Sequence, residues 1–252
     1  MNTDRFVISD HIWERIEPVL LGKSTDCGVT GKDNRLFLEA VLWRVRTGTP
    51  WRDLPTEFGN WNSVFKRFRR WAERGVFDRI FDKLSSDQDF EYVMVDGTIV
   101  SVHQKASGAK GGPQNQAIGR SKGGLTTKIL ALVDALGYLV SFVLLPGQRH
   151  DIVGVPPLIE GLEFEAFLAD KAFDADWLRE EIDKRGASVV IPPKANRKSE
   201  IPFDKETYKW RHLVENFFAK IKEFRGIATR YDKTDESYKA NWFLTAAIIT
   251  GR

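Results

Sequence analysis

Three acidic residues stand where a carboxylate is either costly or conspicuous. Asp96 interrupts the apolar stretch "YVMVDGTIVSV", Asp170 ends another in "FLADKAFD", and Glu215 sits among cations in "TYKWRHLVENFFAKIKEFRG". An ionised carboxylate in an apolar strand is unfavourable unless something compensates it. Two such acids at one edge of a sheet would raise each other's pKa unless divalent cations bridge them. Glu215, from a helix packed on that sheet, would complete a set of hard oxygen donors. With Cys27 the single cysteine and no histidine cluster, the set favours Mg²⁺, with Mn²⁺ as a substitute, over zinc.

The surroundings of Glu215 extend the pattern. On a wheel of about 100° per residue with Glu215 at zero, Arg211 falls at about −40°, Tyr208 at about +20° and Lys222 at about −20°. Leu213, Val214, Phe217, Phe218, Ile221 and Phe224 cover the other side. Exposed helix charge pairs contribute only a few tenths of a kcal/mol. A metal site needs no cations of its own, so Tyr208, Arg211, Lys220 and Lys222 are expected to serve a phosphate backbone, Arg211 bidentately.

The elements that must position these residues follow from periodicity. Residues 1 to 86 read as an all-helical domain. "SDHIWERIEPVL" is capped by Ser9 or Asp10, and "NRLFLEAVLWRVRTG" stops at Gly48. In "NWNSVFKRFRRWAERG", Trp61, Val64, Phe65, Phe68 and Trp71 form an inner stripe, leaving Lys66, Arg67, Arg69 and Arg70 outside as a DNA-reading face. From 87 to 252 the order is strand, hairpin, helix, strand, helix, strand, helix, an α/β arrangement with a mixed sheet. Between the first strand and the hairpin, a Gly- and Lys-rich segment at about 103–124 reads as a flexible basic loop carrying Arg120 and Lys122. In "GQRHD", Asp151 is expected to cap the next helix, with an approach of His150 to the site or to DNA as the alternative.

Composition narrows the class. The net charge of +3 over 252 residues is modest, but residues 103–128 carry Lys105, Lys110, Arg120, Lys122 and Lys128 with no acid. That asymmetry points to a polyanion-facing surface. A lone cysteine excludes an internal disulfide and fits a reducing cytosol. The N-terminus has no apolar signal region, and "WFLTAAII" is too short to span a bilayer.

Taken together, "VDGT", "ADKAFD" and "YKWRHLVENFFAKIK" resemble the DDE transposases of bacterial insertion sequences, specifically the IS-five family of the IS-four/IS-five superfamily. That family's third motif is Tyr, two residues, Arg, three residues, Glu, six residues, Lys, which Tyr208, Arg211, Glu215 and Lys222 match without a gap. "WRDLP" and the aromatic pattern of the third helix extend the resemblance towards the N-terminus. It implies a ribonuclease-H-like catalytic domain with Asp96, Asp170 and Glu215 as triad and two Mg²⁺ ions. It also implies double-stranded DNA, both element ends and target, as partner, a homodimer or higher oligomer on that DNA, and a cytoplasmic, nucleoid-associated location. Two other readings fit the residues: a ribonuclease-H-like nuclease without strand transfer, and a DNA-binding regulator whose acids are structural.

Overall fold

The structure, a computed structural model, describes residues 6–23, 26, 31–110, 112, 115–198 and 201–251. Cys27 lies outside the described residues. In chain order the elements are α1 (Asp10–Ile16), α2 (Asn34–Thr47), α3 (Trp61–Glu73), α4 (Val76–Leu84), β1 (Tyr92–Val102), β2 (Gly119–Ser121), β3 (Gly124–Val133), β4 (Leu139–Pro146) and α5 (Val155–Ile159). They continue with β5 (Ala166–Ala169), α6 (Asp176–Lys184), β6 (Ser188–Val190), α7 (Lys205–Tyr208), α8 (His212–Lys222), α9 (Arg225–Ala228), β7 (Thr229–Arg230) and α10 (Asp235–Thr250). Contacts divide the chain into two units, one of residues 1–86, 101–116 and 220–252, the other of 87–100 and 117–219.

The first unit is helical, and its helix ends follow capping chemistry. Ser9 Oγ accepts from the Ile12 amide ahead of α1 (3.3 Å), and Asp33 Oδ1 accepts from Leu36 at the start of α2 (2.9 Å). Gly48 ends α2 in the left-handed region (φ 72°), where a side chain would be strained. Asn60 Oδ1 accepts from the amides of Asn62 and Ser63 to start α3. Leu38, Val41 and Leu42 of α2, Phe68 and Trp71 of α3, and Phe77, Ile80 and Phe81 of α4 are buried. Against them packs α10, with Tyr238 and Trp242 fully enclosed. The helical unit therefore recruits the C-terminus as well as residues 1–86. Arg44 pairs with Asp232 (3.2 Å), which also accepts from Asn241 (2.8 Å), and all three side chains are buried.

The second unit is a mixed sheet with helices. Its strand order is β2–β3–β1–β5–β6, with β4 paired to β3. β3 and β4 form the expected antiparallel hairpin, its turn pinned by Asp134, which accepts from the amides of Leu136 and Tyr138 (3.1 and 2.8 Å). β1, β5 and β6 run parallel, in register from Tyr92–Ala166 to Val95–Ala169 and from Ala166–Ser188 to Leu168–Val190. On one face Val93, Val95, Leu130, Leu132, Phe167 and Ala169 pack with Val155, Leu158 and Ile159 of α5 and Leu178 and Ile182 of α6. This is the ribonuclease-H-like mixed sheet preceded by helices that the motifs imply.

One expectation needs correction. The segment 103–124 is built rather than loose where it is described. Gln104–Ser107 form a 3-10 turn, and β2 folds onto the start of β3 with Arg120 opposite Leu125. Gly124, at φ 96°, supplies the turn that only glycine adopts readily, and Thr127 Oγ1 donates to the Ala117 carbonyl (2.6 Å). Residues 111, 113 and 114 lie outside the described residues.

A buried carboxylate ties the chain together after β5. Asp174, whose side chain is fully enclosed, accepts from Arg179 Nε (2.7 Å), Arg197 Nε and Nη2 (2.6 and 2.7 Å) and the Lys194 amide (2.7 Å). Burial alone would push its pKa up, but the hydrogen bonds from Arg197, Lys194 and Arg179 hold it well below the carboxylate range. Removing one partner of such a cluster leaves uncompensated charge, so Asp174→Ala is expected to cost about 3–5 kcal/mol at pH 7 in urea unfolding. Because the folded pKa is depressed, the wild-type advantage is complete above the unfolded value of about 3.9 and fades as pH falls from there through the folded value. A gap between the two proteins that is equal at pH 7 and in strong acid would refute this role for the carboxylate.

Candidate active site

Alternation along β1 and β5 decides which face the acids occupy. Side chains on a strand alternate between faces. Val93, Val95, Phe167 and Ala169 belong to the apolar cluster beneath α5 and α6, so Asp96 and Asp170 share the opposite face with Met94 and Leu168. The last registered pair is Val95–Ala169, and the next step brings Asp96 alongside Asp170, on strands about 4.8 Å apart.

Each acid is oriented by a backbone donor. Asp96 Oδ1 accepts from the Gly97 amide (2.8 Å), and Asp170 Oδ1 accepts from the Ala172 amide (2.7 Å), capping the 3-10 turn Lys171–Phe173. Arg211 then joins the acids. Its Nη1 donates to Asp96 Oδ2 (2.9 Å) and its Nη2 to Glu215 Oε1. The Arg211 and Asp96 side chains are 19% and 21% exposed, against 54% for Glu215. Burial raises the pKa of Asp96; the Gly97 amide and Arg211 oppose that rise, and the nearby charge of Asp170 adds to it. Burial also pulls on Arg211, but Asp96 and Glu215 outweigh it and hold the guanidinium above its ordinary value.

The stripe of Tyr208, Arg211 and Glu215 survives a break in the helix. α7 and α8 are joined by a 3-10 turn over Lys209–Arg211, and Glu215 lies one turn beyond Arg211. The Arg211 guanidinium lies 5.9 Å from the Tyr208 ring centre, and Tyr208 meets Phe203 edge-on at 5.6 Å. Arg211 contacts the acids themselves, since the half-buried Asp96 and, one turn on, the exposed Glu215 both lie within reach of its guanidinium.

The remaining cations separate into two kinds. Lys66, Arg69 and Arg70 are exposed on α3, with Arg69 paired to Glu73 (2.8 Å). Arg67 is not part of that outer face. It donates to the Lys32 carbonyl (2.8 Å) and to Asn34 Oδ1, and its guanidinium lies 4.4 Å from the centre of Phe37 and 4.8 Å from that of Trp71. Burial, with a smaller push from Arg70, lowers its pKa to about 10. The long side chain lies against α2 and against Trp71, one turn further along α3, which a wheel of Cα positions does not show. Arg120 and Lys122 are exposed on the β2–β3 hairpin. Lys220 is exposed and Lys222 half-buried on α8, where burial depresses the Lys222 pKa.

Asp151, like Arg67, departs from its expected place. Its carboxylate pairs with Lys128 instead of capping a helix, and it rests against Gly97, next to Asp96. A partner 23 positions away has no local signal.

Asp96, Asp170 and Glu215 offer only carboxylate oxygens, which suit Mg²⁺ or Mn²⁺. Among the described residues no three His, Cys, Asp or Glu side chains are drawn into a ready ligand cage. Asp96 and Glu215 are instead linked through the Arg211 guanidinium, so a cation bridging the same two oxygens would have to displace it.

Comparison with known proteins identifies the family. The family model described as "Transposase DDE domain" matches residues 88–250, and one described as "Putative transposase of IS4/5 family" matches residues 8–81. Over 129 residues the chain is 36% identical to the "Putative transposase for insertion sequence element IS6501" of Brucella ovis, covering 50% of this chain and 98% of that protein. It is 40% identical over 117 residues to "Uncharacterized protein y4sN" of Sinorhizobium fredii, covering 46% of this chain and 86% of that one. Among solved structures, the piggyBac transposase synaptic complex with hairpin DNA aligns with a TM-score of 0.56 at 10% identity, over 97% of this chain and 72% of that one, a likeness of fold.

The Arg211 bridge predicts a titration. Arg211→Gln removes a charge that favours ionised Asp96, so the Asp96 pKa is expected to climb further in metal-free buffer, as read from its carboxyl carbon by NMR. An unmoved titration would detach Arg211 from Asp96. Because the folded pKa of Asp96 lies above its unfolded value of about 3.9, the penalty builds as pH rises from that value through the folded one and is complete above both. Asp96→Asn is accordingly expected to melt higher than wild type at pH 7 without divalent ions.

Proposed function

The chain belongs to the DDE-domain transposases, and from that membership we propose that Asp96, Asp170 and Glu215 are its catalytic carboxylates and hold two Mg²⁺ ions, with Mn²⁺ able to substitute. The observation that supports this best is the parallel register of β1 and β5, which carries Asp96, within β1, and Asp170, just past β5, to neighbouring positions on one face, with Glu215 joined to Asp96 through Arg211. Bound Mg²⁺ supplies neutralisation of phosphate charge and a lowered pKa for the attacking oxygen.

The chain's own groups do the positioning. The Gly97 and Ala172 amides each fix one oxygen of Asp96 and Asp170, so that neither acid has to reorganise when substrate arrives. Arg211 carries a planar fork of donors that matches a phosphate as well as it matches two carboxylates. On entry of DNA it transfers from the acids to a backbone phosphate, steadied by Tyr208. In the first reaction a water oxygen attacks the phosphorus at the element end and the bond to the 3′ oxygen breaks, leaving a 3′-hydroxyl. In the second, that hydroxyl loses its proton and its oxygen attacks a target phosphodiester, releasing the target's own 3′ oxygen.

DNA is held by the cationic surfaces. Residues 1–86 recognise the terminal inverted repeats through Lys66, Arg69 and Arg70 of α3, and residues 87–252 carry the catalytic site. Arg120, Lys122, Lys220 and Lys222 contact phosphates. A homodimer or higher oligomer brings two element ends together on the DNA. Among the described residues no helix is long and apolar enough to cross a membrane. Its DNA substrate places its action on the bacterial nucleoid.

Substitution of the acids tests the reading. Asp96→Asn, Asp170→Asn and Glu215→Gln are each expected to reduce Mg²⁺-dependent cleavage of an element end to background while gel-shift affinity for that end is retained. Near-wild-type cleavage by any one of them would remove that residue from the triad. Pre-cut ends mixed with target DNA separate transposase from simple nuclease: joined product is expected, and its absence would leave only hydrolysis.

A further inference from the structure

Lys128 and Asp151 have no part in the triad or in the DNA contacts. Lys128 lies on β3, beside β1, and its side chain is 12% exposed. Its ammonium pairs with Asp151 Oδ1 and donates to the Arg149 carbonyl (2.6 Å). Asp151 opens the 3-10 turn Asp151–Gly154 after β4, and its carboxylate is aimed at Gly97. A Cβ at Gly97 would stand 2.5 Å from Asp151 Oδ2 and 3.0 Å from its Cγ, well inside contact distance. Gly97 has no positive φ, so close approach rather than backbone conformation demands glycine here.

Two further observations tie this pair to the acids. The Gly97 amide is the donor that orients Asp96 Oδ1. The turn Asp151–Gly154 also packs against the turn Lys171–Phe173, which Asp170 caps. The ion pair therefore abuts the residue whose amide orients Asp96, and the turn that Asp151 opens packs against the turn that Asp170 caps. A bare carboxylate this near Asp96 would add to the repulsion there, and the Lys128 ammonium cancels its charge. What remains is its shape.

We infer that Asp151, seated by Lys128, is a positioning residue that wedges against Gly97 and braces the turn capped by Asp170, fixing the spacing of Asp96 and Asp170. The inference rests on the reading of Asp96 and Asp170 as metal ligands. It assigns Gly97 a purpose as well, since any side chain there would evict the wedge.

Mn²⁺ affinity of the full-length chain, measured by electron paramagnetic resonance without DNA and alongside thermal melts, tests this apart from activity. Gly97→Ala and Asp151→Ala are each expected to weaken Mn²⁺ binding at least tenfold. Asp151→Asn, which keeps the shape and an acceptor for Lys128, should retain more affinity than Asp151→Ala. In the double variant Gly97→Ala with Asp151→Ala, the new methyl fills the space the carboxylate left, so the loss is smaller than the product of the single losses. If Gly97→Ala does not fold, the contrast between Asp151→Ala and Asp151→Asn decides. Wild-type Mn²⁺ affinity in folded Asp151→Ala, or losses that simply multiply in the double variant, would overturn the inference. A wild-type chain that binds no Mn²⁺ would instead overturn the triad itself, and this inference with it.

Discussion

Like charge on two paired strands, Asp96 within β1 and Asp170 just past β5, is the constraint on which the sheet unit turns. The parallel register of β1 and β5 sets Asp96 beside Asp170 on one face, and partial burial makes ionisation of Asp96 harder still. Water cannot fully screen such a pair, so the fold needs positive charge close by. Arg211 provides it, reaching Asp96 and Glu215 with the two arms of one guanidinium. The same demand that makes the site costly makes it receptive to a divalent cation. An acid cluster that a protein can tolerate only with a counter-ion is one that metal can enter by exchange.

Buried ion pairs recur wherever a segment must be held in one place. Asp174 gathers Arg179, Arg197 and the Lys194 amide after β5, fixing the chain on its way from β6 towards α7. In the helical unit, Arg44 with Asp232 and Arg230 with Asp235 tie the entry to α10. Such pairs add little net stability over well-packed apolar side chains, because desolvation offsets attraction, but breaking one leaves an unpaired charge inside. They therefore specify arrangement more than they strengthen it. For phosphoryl transfer, where rate depends on placement of groups before reaction, rigid arrangement is the useful property.

Much of this was legible in the sequence, for identifiable reasons. The period-two and 3.6-residue patterns gave β1, the β3–β4 hairpin and most helices. Asp96 and Asp170 stood out because an acid that interrupts or ends an apolar strand has few purposes. What stayed hidden depended on the reach of long side chains or on distant partners. Arg67 looks solvent-facing by its Cα yet lies over Phe37 and Trp71. Arg211 shares a wheel stripe with Glu215, but its bond to Asp96 spans 115 positions. Asp151 has a helix-start context, and only the approach of Gly97 shows its other use. The β2 hairpin was masked by a Gly- and Lys-rich composition that usually marks a loop, and the entry of α10 into the helical unit is a long-range event with no local signature.

The central claim is that cation exchange at Asp96 and Glu215 links metal binding to DNA binding, and diffraction tests it most directly. Crystals of the chain with a cut element end, grown in Mn²⁺, would be measured at the manganese absorption edge. The account predicts anomalous peaks bounded by Asp96, Asp170 and Glu215, with the Arg211 guanidinium moved onto a DNA phosphate. Manganese bound elsewhere, or Arg211 still joining Asp96 to Glu215 with DNA in place, would contradict it.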